Sequence, residues 1–261
     1  MSSRYLEFAQ DNSAFLLRQM KEEIASGQAG ADAFFAAGVA HRMLGICALL
    51  EDADAGAFAR SLCLAGQSRL ELLQRARKGM EVPAKARCTG KDVFFPASLA
   101  GGDLKTAQEI AALSEPARLE EVEYEEDFAF ARFLHLKLIA PGDQAALEAL
   151  LSKWEAALEG EPSGYLEACK ALLPGADPAS FHPAFLALIE HRQVQLADYA
   201  KGAGADQEQL ATEGKVFVEG LAVLRLAEMA RLPSAPRYPL IPPLSRVPLG
   251  GAVPQPGEWL R

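Results

Sequence analysis

The stretch "RLEEVEYEEDFAFARFLHLKLIAPGD", residues 118–143, places an acidic segment directly before an apolar one. Six of the eight residues from Glu120 to Asp127 are acidic, whereas residues 128–139 are nearly all apolar. Pro141 and Gly142 then interrupt the chain, and proline does not continue a helix. The stretch therefore predicts a buried helix that starts among carboxylates and ends at a Pro-Gly turn.

Helical periodicity extends outward from this segment in both directions. Apolar residues at helical spacing predict helices at 4–26, 31–52, 54–79, 103–113, 125–140, 143–159, 163–173, 178–201 and 212–231. The connections are short and contain Gly or Pro, which is typical of antiparallel neighbouring helices. We predict an all-α fold in which 125–140/143–159 and 163–173/178–201 are stacked helical hairpins, in one bundle or a short solenoid-like body.

Two segments depart from the helical pattern. The segment "MEVPAKARCTGKDVFFPASL", residues 80–99, has β-branched and aromatic residues around Thr89-Gly90-Lys91, which predicts one small β-hairpin near 82–96. Residues 233–261 hold eight of the sixteen prolines and favour extended backbone. We predict a single helical domain over 1–232 and an extended Pro-rich tail over 233–261 that packs on it, the alternative being a free peptide ligand.

Composition limits the partners. The 261 residues carry a formal charge of −9, from 26 Lys+Arg and 35 Asp+Glu, whereas a generic nucleic-acid binder is basic. The four cysteines show neither zinc spacing nor C-x-x-C pairing and are interpreted as buried apolar residues: Cys47, Cys63, Cys88 and Cys169. No signal-peptide core and no run of 18 apolar residues is present, which predicts a cytoplasmic protein without a membrane span.

The sequence offers no motif for catalysis. P-loop, dinucleotide-binding, nucleophile-elbow, Glu-x-x-His and H-E-x-x-H patterns are all absent. His41 and His135 lie in apolar helical patterns and are interpreted as hydrogen-bonded core residues, and His191 as part of a solvated helix face. We predict no enzymatic activity, no cofactor and no metal; the alternative is an enzyme whose residues converge only in the fold.

The acidic run has two interpretations. A charged run is usually a solvated face, and carboxylates in the first turn of a helix interact favourably with its dipole. A cluster without nearby Lys or Arg is also typical of a docking surface for a basic partner. The candidate partner-binding residues are the six carboxylates of the run: Glu120, Glu121, Glu123, Glu125, Glu126 and Asp127.

The order of features along the chain resembles a known bacterial family. The helix "AFARSLCLAGQSRLELLQRARKG" precedes "VPAKARCTGKDVFFP" and the short segment "LKTAQEIAAL". Then come "EEDFAFARFLHLKLIAPGD", "LEALLSKWEAALEG", "YLEACKALLPGADPASFHPAFLALIEHR" and "VEGLAVLRLAEMARLPSAPRYPLIPPL". Over roughly residues 30–245 this order is similar to that of the immunity protein 49 family, found beside polymorphic and type VI secretion toxins.

The resemblance implies a mainly helical protein that binds and neutralises a cognate toxin, and such toxins are often nucleases. It carries no catalytic residues over to this chain, and the Pro-rich extension past Leu244 departs from the pattern. A basic nuclease surface would suit an acidic inhibitor, since opposite charge speeds association. The alternative function is a helical adaptor or chaperone for a secreted effector.

Overall fold

The computed structural model describes residues 2–261, with side chains from Arg4 onward. Over this range the chain forms twelve α-helices and three short 3-10 helices. The α-helices are α1 (Ser2–Ala25), α2 (Ala31–Asp52), α3 (Ala55–Arg77), α4 (Ala84–Arg87), α5 (Phe94–Gly101), α6 (Leu104–Leu113), α7 (Glu125–Ile139), α8 (Gln144–Ala157), α9 (Gly164–Ala171), α10 (Phe181–Lys201), α11 (Gln207–Ala211) and α12 (Val218–Met229). The 3-10 helices are Pro178–Ser180, Pro243–Ser245 and Glu258–Leu260. The prediction of a mainly helical fold is confirmed.

Side-chain caps fix where several helices begin. The carboxylate of Asp54 accepts a hydrogen bond from the Ala57 N–H at 2.8 Å, and Asp103 accepts one from Thr106 N–H at 3.0 Å. Asp and Ser are favoured at this position because their oxygens satisfy N–H groups that have no partner within the helix. These caps are local, which is why the sequence predicts most helix starts to within one or two residues.

Consecutive helices pack on one another around a shared core. Helix α2 packs against α1 and α3, α7 packs against α8, and α9 packs against α10. Helix α12 contacts both α5 and α7 and so joins the two halves of the chain. Helix α7 was predicted to be buried, and within it Phe128, Phe133, Leu134 and Leu138 are buried while Leu136 is partly buried against the main core.

Helix α2 is apolar nearly all round. Its length and apolar composition would suffice for a membrane span, yet most of it is buried inside the protein. The central helix of a globular protein has the same composition, because most of its circumference contacts other helices.

The predicted β-hairpin near residues 82–96 is wrong. Residues 84–87 form α4, residues 94–101 form α5, and residues 2–261 contain no β-strand beyond one isolated bridge between Tyr238 and Ile241. The residues from Phe94 to Ala100 are all buried, so this segment lacks the alternation of a half-buried strand. The aromatic residues Phe94 and Phe95 belong to a helix buried on every side, and the β-branched residues Val82, Thr89 and Val93 lie outside the helices.

The side chains of Asp92 and Arg69 form the hydrogen bonds that hold this region in place of strand pairing. The carboxylate of Asp92 accepts hydrogen bonds from the N–H groups of Phe94 at 2.8 Å and Phe95 at 3.2 Å, which starts α5. The Arg69 guanidinium of α3 pairs with Asp92 at 3.1 Å and donates to the carbonyl of Ala86. Both side chains are buried. The hydrogen bonds of this ion pair therefore supply partners for backbone N–H and carbonyl groups that have none in a strand.

The end of the chain also differs from the predicted pattern. The helix predicted at 212–231 begins only at Val218, and the short α11 precedes it. Buried Thr212 lies between the two helices, and its hydroxyl donates to the Glu208 carbonyl at 2.6 Å. This side-chain to backbone bond offers the chain an alternative to a continuing helix.

Residues 233–261 run back across the helices. Tyr238, Ile241, Val247 and Trp259 are buried, whereas Leu244 and Leu249 are exposed. The Trp259 ring lies 5.8 Å from the Phe34 ring of α2. Further polar contacts fasten the segment: Gln67 donates to the Pro254 carbonyl, Arg225 to the Val247 carbonyl, and Phe217 N–H to the Leu240 carbonyl.

Candidate functional site

One cavity of about 530 Å³ lies where α7, α8, α9 and α10 meet the segment 209–219. Side chains from α2 and from the 90–93 loop complete its wall. Ligand sites in proteins are usually concave and combine apolar walls with a few polar groups. This cavity has both kinds of lining and is the candidate functional site.

The apolar wall is aromatic. The Tyr165 ring packs edge-on against Phe130 at 4.9 Å and lies 5.3 Å from the His191 ring. Trp154 and Phe217 extend the cluster, with centroids 6.5 Å from Phe130 and 6.4 Å from Tyr165. Burial raises the pKa of the Tyr165 phenol above its ordinary range. The rings therefore form an aromatic wall, and the Tyr165 hydroxyl on it stays protonated near pH 7.

A buried ion-pair cluster lies on another side of the cavity. Arg42 of α2 pairs with Glu213, and with Glu219 of α12 at 2.9 Å. The Arg42 side chain is almost completely buried, so both carboxylates compensate its charge in a region of low dielectric. Arg42 and Glu219 are 177 positions apart in the sequence, so only the fold brings them together.

Two carboxylates of the acidic run line the same cavity. Glu126 is exposed and Asp127 is half-buried. Within the described residues neither side chain forms an ion pair or a hydrogen bond, whereas every other lining carboxylate is paired with an arginine. Burial, and then the charge of neighbouring Glu126, raise the pKa of Asp127. The charge of Lys91 lowers the pKa of Asp127 and offsets part of this rise, but the lining keeps more carboxylates than guanidinium groups.

Three buried nitrogen atoms on lining residues lack acceptors in the described part of the chain. They are Arg42 Nε, Trp154 Nε1 and Arg192 Nε. The Trp154 side chain is 1% exposed, and the Arg192 guanidinium lies 5.6 Å from the Phe217 ring centroid. A buried donor without an acceptor is rare in folded proteins and calls for a specific explanation.

The rest of the acidic run divides into exposed and structural groups. Glu120 and Glu121 are exposed, with only a 3.5 Å contact from Arg118 to Glu120. Glu125 pairs with Arg118 and with Lys153, both at 2.9 Å, so this part of the run is compensated. Residues 120–127 contain no Lys or Arg, but the fold places Arg118 and Lys153 next to them.

Glu123 has a different role from the one predicted. Its side chain is 4% exposed and accepts hydrogen bonds from the N–H groups of Gly90 at 2.8 Å and Leu119 at 2.9 Å. A carboxylate held in this way stabilises the loop before α7 and is not accessible to a partner. Of the six candidate residues, Glu120, Glu121 and Glu126 are exposed and Asp127 is half-buried within the cavity.

The histidines occupy separate environments. His41 is buried and its Nε2 contacts the Trp259 carbonyl oxygen at 2.9 Å, as predicted. His135 is fully buried at 4.2 Å from the Phe95 ring, but neither of its ring nitrogens has a described hydrogen-bond partner, so the predicted hydrogen bond is wrong. His191 lines the cavity, and its Nδ1 accepts the Gly164 N–H at 3.3 Å.

The described residues contain no group of three or more His, Cys, Asp and Glu side chains placed to hold a metal ion. The four cysteines are buried free thiols, as interpreted from the sequence. Burial raises the pKa of Cys47 and of Cys63 to about 12, so these thiols stay protonated and poorly nucleophilic.

Sequence patterns found only part of this site. Glu126 and Asp127 were in the predicted set, whereas Arg42, Tyr165 and Glu219 were not. The available signal for Arg42 was a charged residue within an otherwise apolar helix, because such a residue requires a buried partner.

Comparison with known proteins identified no relative of this chain. No protein-family model matches the chain, and neither a curated protein nor a solved structure shows significant similarity to it.

Proposed function

We propose that this protein is an immunity protein, which binds a secreted bacterial toxin in the cytoplasm and neutralises it by steric and electrostatic blocking. The family resemblance of the sequence suggests this function, and the charge of the cavity supports it. No chemical step is assigned to the protein itself. The partner is a toxin with a basic surface, such as a nuclease, which must be cationic where it grips phosphate.

The observation that carries the proposal is the pair of uncompensated carboxylates in the cavity. Glu126 and Asp127 lack internal cationic partners, and the exposed Glu120 and Glu121 precede them on the same segment. Like charges held close together repel one another and destabilise the free protein. A cationic partner would relieve that repulsion, so the same residues favour association.

Charge of this kind acts first on the rate of association. Electrostatic attraction raises association rates by about 10 to 10³-fold at low salt, and added salt screens it. Charges at the rim of an interface affect the association rate, whereas buried charge pairs affect dissociation. We therefore assign Glu120 and Glu121 to attraction of the partner, and Glu126 and Asp127 to its retention.

The first test is protection in cells. A protein encoded next to this gene would be expressed in a test cell with and without this chain, and survival would be measured in both cases. Rescue of growth together with direct binding of the purified proteins supports the proposal. Failure to protect, together with improved export of the same protein, would instead identify the adaptor or chaperone function.

The second test measures association kinetics with that toxin across ionic strengths. The double variant Glu120→Gln/Glu121→Gln should associate more slowly at low salt, and the difference should shrink once the Debye length falls below about 10 Å. Glu22→Gln/Glu23→Gln on α1 is the matched control, since it removes two neighbouring exposed carboxylates elsewhere. Equal association rates for both variants at every salt concentration would remove the acidic run from the interface.

A further inference from the structure

We propose that the cavity is an anchor pocket for one arginine side chain of the protein partner, and this inference rests on the proposed function. The occupant is a guanidinium group inserted from an exposed loop of the partner. Two features of the cavity point to it: the carboxylates that have no ion-pair partner and the aromatic wall.

The carboxylates supply the charge complement. The lining carries five carboxylates against two guanidinium groups. The lining guanidinium groups are those of Arg42 and Arg192, and Arg69 from outside the cavity pairs with Asp92, so an excess of two negative charges remains. Glu126 and Asp127 are the two lining carboxylates that form no ion pair, and they are adjacent in the first turn of α7. A guanidinium group matches carboxylates through paired, charge-assisted hydrogen bonds.

The aromatic wall favours arginine over lysine. Phe130, Trp154 and Tyr165 line the cavity beside these carboxylates. A guanidinium is planar and weakly hydrated, so it stacks on aromatic faces at a smaller desolvation cost than an ammonium group. The cavity already contains one such contact, between Arg192 and Phe217. The volume of about 530 Å³ accommodates a side chain together with a short piece of its main chain.

Buried anchors of this type dominate the energy of many protein interfaces, and arginine is one of the residues most enriched among them.

The test uses the ¹⁵N-labelled full chain and a minimal probe, N-acetyl-arginine N-methylamide. The protein has two tryptophans, so two indole N–H signals report on two sites. Trp154 lines the cavity, and Trp259 lies in the C-terminal segment as an internal control. We expect a saturable shift of the Trp154 signal with a dissociation constant on the order of 1 mM, and no shift of Trp259.

Neutral counterparts separate charge from shape. N-acetyl-citrulline N-methylamide has nearly the same shape without the charge and should bind at least tenfold more weakly. The variant Glu126→Gln/Asp127→Asn should lose most of the arginine response, whereas Glu120→Gln/Glu121→Gln should keep it. The unchanged Trp259 signal shows that each variant is folded.

The inference is overturned if Trp154 does not respond, if the citrulline probe binds equally well, or if both tryptophans shift together. It is also overturned if the Glu126→Gln/Asp127→Asn variant binds like the unaltered protein. These outcomes are distinct from failure of the proposed function, since the titration needs no toxin. Protection of cells without arginine binding would retain the immunity function and place the interface elsewhere.

Discussion

The carboxylate of Glu123 binds the backbone N–H of Gly90 at 2.8 Å and thereby fastens the loop before α7 to the loop before α5. Gly90 approaches α7 so closely that a Cβ atom there would lie 2.7 Å from the Phe128 nitrogen. These contacts hold the start of α7 against the 90–93 loop, so they fix the position of Asp127 at the cavity. An acidic residue in the middle of the run thus supports the site without being part of its surface.

Replacement of Glu123 should therefore destabilise the fold. We expect Glu123→Gln to lower the free energy of unfolding by about 1–3 kcal/mol, because an amide can accept only one of the two backbone N–H groups well. Glu121→Gln, on an exposed side chain of the same run, should change it by less than about 0.5 kcal/mol. Urea unfolding of both variants measures the difference, and equal stabilities would show that the Glu123 hydrogen bonds contribute nothing.

Burial of His135 should make stability depend on pH. Burial lowers the pKa of this imidazole from 6.5 to about 4 in the folded protein. Between pH 4 and pH 6.5 the unfolded chain binds more protons at His135 than the folded protein does. The free energy of unfolding is therefore highest above about pH 6.5 and decreases as the pH falls toward 4. Titration of His135 should lower the free energy of unfolding by about 2 kcal/mol between pH 7.5 and pH 5.

The variant His135→Leu should remove that part of the pH dependence. It also removes two buried ring nitrogens that have no described partner, so it should be at least as stable as the unaltered protein at pH 7. His41, whose pKa is likewise lowered to about 4 by burial, retains its own contribution of the same sign. Thermal or urea unfolding from pH 5 to 7.5 measures both effects; an undiminished pH slope in the variant would contradict the assignment.

Truncation of Phe133, at the centre of α7, should destabilise the fold strongly. Phe133 is fully buried in the main core, and Phe133→Ala should cost about 3–5 kcal/mol through lost contacts and a residual cavity. Phe15 on α1 is 55% exposed, so the same substitution there should cost less than about 1 kcal/mol. Denaturant midpoints of the two variants give the comparison, and a cost below about 1 kcal/mol for Phe133 would place α7 at the periphery.

The C-terminal segment should contribute to stability through Trp259. This side chain is 2% exposed against Phe34, and Trp259→Ala should destabilise the protein by about 3 kcal/mol. Leu249 lies in the same Pro-rich segment but is exposed, so Leu249→Ala should be nearly neutral. Similar unfolding midpoints for both variants would mean that the segment is not part of the cooperative fold.

The sequence by itself determined most of the long helices. Apolar spacing, capping residues and Gly or Pro at the turns act over a few neighbouring positions, so they predict α2, α6 and α7 nearly to the residue. The same local signals predicted that α7 is a buried helix. They also identified Glu126 and Asp127 as candidates, because an acidic run is visible in the sequence.

Only the tertiary structure decided what lies around them. In the segment predicted as a β-hairpin, Asp92 caps α5 locally, and Arg69, 23 positions before Asp92, pairs with that carboxylate in the core. The same acidic run supplies a structural carboxylate in Glu123 and uncompensated ones in Glu126 and Asp127. That division depends on which distant N–H groups and cations reach each side chain, and local sequence patterns contain no information on contacts made far along the chain.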